Sequence, residues 1–124
     1  MNRNKGSQKL KDILGSDANA IIKSFEDVSP DFARHIVDYA YGEIYSRTTL
    51  NDKIKELATV ACLIGSNNSG MALKVHLKGM LHVGWTADEI KELILFLTVY
   101  AGFPPCVDAI NILSEIEKEN MQNE

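Results

Sequence analysis

The stretch Ser69-Gly70-Met71-Ala72-Leu73-Lys74-Val75-His76-Leu77-Lys78-Gly79-Met80-Leu81-His82-Val83-Gly84, with Thr86-Ala87-Asp88-Glu89 and Gly102-Phe103-Pro104-Pro105-Cys106 after it, decides the fold class. Turned at about 100° per residue, Gly70 to Val83 puts Lys74, Lys78 and His82 on one narrow stripe and apolar residues or glycine nearly everywhere else, the pattern of a helix with a single wet edge. His76 lies opposite that edge and points into whatever covers the helix. There it needs a partner: a hydroxyl, carboxylate or carbonyl if it is a core histidine, a reacting group if it is catalytic. Thr86 with Glu89 three residues on is a capping box that starts the next helix. From Leu93 to Ala101 that helix is apolar on every side, more than the interior of so short a chain can surround, so a second subunit is the expected cover. The glycine and two prolines at 102–105 then open a last helix with Val107, Ile110, Leu113 and Ile116 inward, and Glu115 to Glu124 reads as a solvated tail.

Upstream, residues 1 to 6 read as a frayed end, followed by helical periodicity from Ser7 to Phe25 that Gly15-Ser16-Asp17 divides. Ser29-Pro30 gives an N-cap and a first-turn proline for a helix running to about Tyr45. On that helix Phe32, Ala33, Ile36, Val37, Ala40 and Ile44 form the apolar face, and Gly42 falls on the polar one. Glu43 comes out between Phe32 and Ile36, either frayed into solvent or buried as a carboxylate with a functional proton affinity. Asn51 or Asp52 caps a further helix with Ile54, Leu57, Ala58, Ala61 and Ile64 inward; Cys62 reads as a small buried thiol, and the burial of Glu56 is left open. With no strand at hairpin spacing, the fold class is all-α, a bundle of about six helices.

A chain of 124 residues, 45% hydrophobic and 24% charged, is expected to form one domain over 1–124 with one core. Its net charge of -4 and its scattered basic residues give no footprint for nucleic acid. The start is polar, without the apolar region of a signal peptide, and no apolar run approaches the roughly 18 residues of a membrane span, so a cytoplasmic location is expected. Cys62 and Cys106 show no CxxC, and the three histidines show no HxxxH or HExxH, so free thiols and no metal are expected. Cys106, near the first turn after Pro104-Pro105, sits where a helix N-terminus can lower a thiol pKa, which makes it a candidate redox residue beside the alternative of a packed small side chain.

Several pieces together carry a resemblance: Tyr41-Gly42-Glu43-Ile44-Tyr45-Ser46-Arg47-Thr48-Thr49-Leu50, Glu56-Leu57, His76-Leu77-Lys78-Gly79, Gly84-Trp85-Thr86-Ala87-Asp88-Glu89-Ile90 and Val99-Tyr100-Ala101-Gly102-Phe103-Pro104. In their order and spacing, from about Asp31 to Leu113, the chain resembles the carboxymuconolactone decarboxylase family. The resemblance implies a small all-helical fold assembling as homotrimers or homohexamers, with the active site at a subunit interface. It implies a cofactor-free, metal-free lyase acting on a small carboxylated lactone. His76 would then be the donor to the lactone oxygen or the acid for the carbon, with Glu43 orienting or protonating it. Arg47 would hold a substrate carboxylate, unless it caps or bridges helices. Glu56, the third candidate catalytic residue beside His76 and Glu43, matches the alkylhydroperoxidase D branch of the same family, whose CxxC before the histidine is replaced here by Ser69 and Ala72. A peroxide-handling protein is therefore the alternative function, and a non-catalytic assembly on the same fold the third.

The apolar run yields the first prediction. Leu95 and Val99 continue the side of Asp88 and Glu92, and covering each is worth about 1.5–3 kcal/mol. Wild-type protein should sediment as an oligomer at micromolar concentration, and replacing Leu95 and Val99 together by charged residues should shift it towards monomer. A wild-type chain that sediments as a monomer contradicts this.

Overall fold

The computed structural model describes residues 2–123, and among them the secondary structure is helical, with no strand. The elements are α1 (Asn2–Leu14), a 3-10 turn (Gly15–Asp17), α2 (Ala18–Val28), α3 (Pro30–His35), a π-helical segment (Ile36–Ile44), α4 (Asp52–Gly65), α5 (Met71–His82), α6 (Ala87–Ala101) and α7 (Phe103–Gln122). They fall into two compact units, Met1–Lys55 and Glu56–Glu124. No helix among the described residues is long and apolar enough to cross a membrane.

In the first unit, α1 is helical from Asn2, which corrects the frayed start expected up to residue 6. The reason is Gly6. A Cβ there would lie 1.9 Å from the Val37 carbonyl oxygen and 3.1 Å from the Gly42 amide nitrogen, so α1 rests directly on the backbone of the π segment. Leu10, Ile13 and Leu14 are buried along the same helix. The break at Gly15-Ser16-Asp17 forms as the sequence predicts, with Gly15 at φ 65°. Ser29 caps α3 through its Oγ, which accepts from the Phe32 amide at 3.1 Å, and Pro30 sits in the first turn.

The helix expected to continue as α-helix to Tyr45 instead widens at Ile36. The Tyr45 amide donates five residues back, to the Ala40 carbonyl at 2.8 Å. An extra residue per turn rotates every later side chain away from its α-helical direction. Val37 is buried as expected, while Ile44, expected on the apolar face, is 45% exposed and Gly42, expected on the polar face, is covered together with Tyr41. Glu43 is exposed, the solvent-facing one of its two readings.

In the second unit the core is built from α4 to α7, with Val60, Ile64, Leu73, Leu77, Met80, Ile90, Ile94, Leu113 and Ile116 buried. The buried line of α4 is Glu56, Val60 and Ile64, whereas Ile54 and Ala58, expected inward, are exposed. Both faces of α4 are apolar enough to pack, but only one brings Glu56 to a hydrogen-bonding partner. At the other end of the unit α7 stays helical to Gln122 and buries Ile116, so the tail expected from Glu115 is packed over its first turns. Lys74 Nζ donates to Glu119 Oε1 at 2.7 Å, with Glu115 at 3.7 Å. That hydrogen bond raises the pKa of Lys74 above the ordinary lysine range, aided by the charges of both glutamates and opposed by desolvation. The stripe read as wet is therefore half covered by α7 at Lys74, and His82 is its exposed end. The capping box closes both ways: the Glu89 amide donates to Thr86 Oγ1 at 3.1 Å and the Thr86 amide to Glu89 Oε1 at 2.9 Å. Gly102, at φ 84°, makes the turn from α6 to α7 that a side chain would strain.

Gly6 gives the fold its sharpest test. Gly6→Ala drives a methyl group into a backbone carbonyl that no rotamer change can move, so it should cost about 1–3 kcal/mol or more and lower Tm by several degrees. A melting temperature equal to wild type would contradict the packing of α1 on the π segment.

Candidate active site

Two polar side chains meet inside the second unit. Glu56, in the first turns of α4, is 0% exposed and is the one charged residue among the described residues that is fully buried. Its Oε1 lies 2.7 Å from Nδ1 of His76 in the middle of α5, whose side chain keeps 15% of its surface exposed. Each needs the other. A buried carboxylate without a partner would be driven to neutralise, and an inward imidazole would leave one ring nitrogen unsatisfied.

The contact also orders the protons. With Glu56 as the acceptor, the hydrogen of the shared bond sits on Nδ1, and Nε2 is the atom left to work. With one proton on the ring, Nε2 offers a lone pair; with two, it offers an N–H whose positive charge Glu56 balances. A fixed tautomer, a counter-ion and an opening to one side are what a proton donor or acceptor needs.

The other residues singled out in the sequence stand as follows. Glu43 and Arg47 belong to the first unit; both are exposed, and among the described residues neither side chain is held by an ion pair. Arg47 therefore does not bridge helices within its unit, and its guanidinium is free to meet an anion. Cys106 is buried in the first turn of α7, and burial pushes its thiol pKa up, the opposite of the lowering expected from a helix N-terminus. It lines an apolar groove of about 250 Å³ between α6 and α7, with Leu95, Phe103 and Val107 among its neighbours. Cys62, expected to be buried, is exposed, because α4 turns its Glu56 line inward and carries residue 62 to the outside.

The pairing of Glu56 with His76 was the feature missed at the level of sequence, where Glu43 was the carboxylate assigned to the histidine. A signal was present. Glu56 precedes Val60 and Ile64 at four-residue spacing, so one helix carries an inward acid and the next an inward histidine.

A stability cycle tests the pair without reference to activity. His76→Ala takes the Nδ1 donor from a buried carboxylate and should cost about 3–5 kcal/mol, and adding Glu56→Leu should recover most of that loss. Two losses that simply add would show that the two side chains do not depend on each other.

The sequence profile of the Carboxymuconolactone decarboxylase family matches residues 30–115. The chain is 32% identical over 115 residues to 4-carboxymuconolactone decarboxylase of Acinetobacter baylyi, covering 92% of this chain and 85% of that protein. It is also 32% identical over 107 residues to nitrosuccinic acid decarboxylase of Metarhizium robertsii, covering 85% of this chain and 73% of the other. The match takes in both members of the buried pair, and the identities extend over nearly the whole chain: this protein belongs to the carboxymuconolactone decarboxylase family.

Proposed function

We propose that this chain is a cofactor-free carboxy-lyase acting on a small carboxylated lactone or a related acid, with the Glu56–His76 pair as its proton-transfer centre. The observation that carries the reading is the buried carboxylate on Nδ1 of a histidine that keeps one side open. Both relatives are decarboxylases by name, which supports the reaction class.

The chemistry asks little more of the protein. When the C–CO₂ bond breaks, its electron pair moves into a conjugated carbonyl of the substrate, carbon dioxide leaves, and the resulting enolate takes a proton on carbon. The substrate itself is the electron sink, so no metal or cofactor is required for that step. His76, doubly protonated, delivers the Nε2 proton to carbon, and the Glu56 carboxylate stabilises the cation. Arg47 binds a carboxylate that the substrate retains, through the two-pronged geometry of its guanidinium. Glu43, exposed and without an ion pair among the described residues, is proposed as an auxiliary acid that returns the proton. The assembly is proposed to be a homotrimer or homohexamer in which the outer face of α6 is covered; Leu95 at 60% and Val99 at 72% exposure support such a cover. A thiol-based peroxide activity fits less well, since the buried Cys106 thiol is pushed away from the reactive thiolate.

Activity on 4-carboxymuconolactone tests the reading. His76→Ala should lower kcat/KM by about 10²–10⁴-fold, and Glu56→Gln, which keeps the shape but not the charge, should lower kcat while the fold is retained. His82→Ala, on the exposed end of the same helix, should leave the rate unchanged. Full activity in Glu56→Gln would contradict the role given to the pair.

A further inference from the structure

The turn that carries Arg47 is held at both ends by lysines. At its start, Nζ of Lys55 donates to the Tyr45 carbonyl at 2.7 Å and also to the carbonyl of Arg47 itself. These are carbonyls that the end of the π segment leaves without a helical donor, and a cation is the favoured group at such an end. Ser46 Oγ donates to the Tyr41 carbonyl at 2.7 Å and the Arg47 amide to the Ile44 carbonyl at 3.2 Å, so Tyr45 and Arg47 are tied through both their amides and their carbonyls. At the far end, Lys9 of α1 holds Asp52 at 3.2 Å, and Asn51 Oδ1 accepts from the Ile54 amide at 2.8 Å. What the turn leaves uncommitted is the Arg47 guanidinium, exposed and unpaired among the described residues.

We propose that Lys55 is a positioning residue for Arg47: by fixing the carbonyls of Tyr45 and Arg47 it sets the direction in which the guanidinium meets the substrate carboxylate. The inference rests on the reading of Arg47 as the carboxylate-binding residue. A backbone clamp suits that task better than a side-chain one. A carboxylate placed beside Arg47 to orient it would compete with the substrate for the same donors, whereas a lysine bonded to main-chain oxygens leaves them all free. Its positive charge also adds to the attraction of the turn for an anion.

Steady-state kinetics on 4-carboxymuconolactone with Lys55→Met, Lys55→Arg, Arg47→Met and the double variant Arg47→Met/Lys55→Met decide the matter. Lys55→Met keeps the aliphatic stem and loses the donor. It should raise KM about tenfold with kcat within about twofold of wild type, and Lys55→Arg should restore most of the loss. In the Arg47→Met background, Lys55→Met should change KM no further, because its effect passes through Arg47. An Arg47→Met variant with raised KM beside a Lys55→Met variant with wild-type KM overturns this inference and leaves the reading of Arg47 standing. Unchanged KM in Arg47→Met overturns both. Equal KM increases from Lys55→Met with and without Arg47 would show Lys55 to be a structural cap only, and would also overturn it.

Discussion

A carboxylate with no exposed surface must be answered by a hydrogen-bond donor, and the second unit of this protein is arranged around the answer that His76 gives to Glu56. That requirement selects the face of α4 that turns inward. It places Val60 and Ile64 in the core behind the acid and leaves Ile54, Ala58 and Cys62 outside. It also fixes the register of α5, since His76 can reach Glu56 only while Leu73, Leu77 and Met80 fill the core on either side of it. Removing the acid from water is costly, and apolar residues of the same size would hold the helices together at least as well. We take the retained charge to be there for the proton chemistry proposed for Nε2.

The first unit is governed by a different constraint, the contact of two backbones. Gly6 lets α1 lie on the carbonyl of Val37, and the π segment beneath it delivers the chain to the turn that holds Arg47. Arg47, proposed to meet the substrate carboxylate, thus follows directly on the π segment. Wide turns of this kind are rare and are frequently found at functional sites.

How much of this could be read beforehand follows from the kind of signal each feature leaves. The caps at Ser29 and Thr86, the break at Gly15, the turn at Gly102 and the inward direction of His76 are local, and residue types at fixed spacing were enough to locate them. The π segment was not legible, because its sequence satisfies an α-helical period equally well, and its close contact with Gly6 joins residues more than 30 apart in the chain. The inward face of α4 was ambiguous for a similar reason: two apolar faces compete, and the hydrogen bond that chooses between them spans 20 residues. Glu43 was assigned to the histidine through the family resemblance, and Glu56 reaches it through a contact that no local spacing reports. The unpaired state of Arg47 is a property of its neighbours in space, which periodicity does not report.

The central claim is that Glu56 holds His76 in the tautomer that leaves Nε2 free. Nitrogen-15 NMR of the His76 ring in the folded protein, near neutral pH and without substrate, measures this directly. The account predicts that the neutral ring carries its proton on Nδ1, in a strong hydrogen bond to Glu56, and that Nε2 is unprotonated. A neutral ring with its proton on Nε2 and a bare Nδ1 would contradict it.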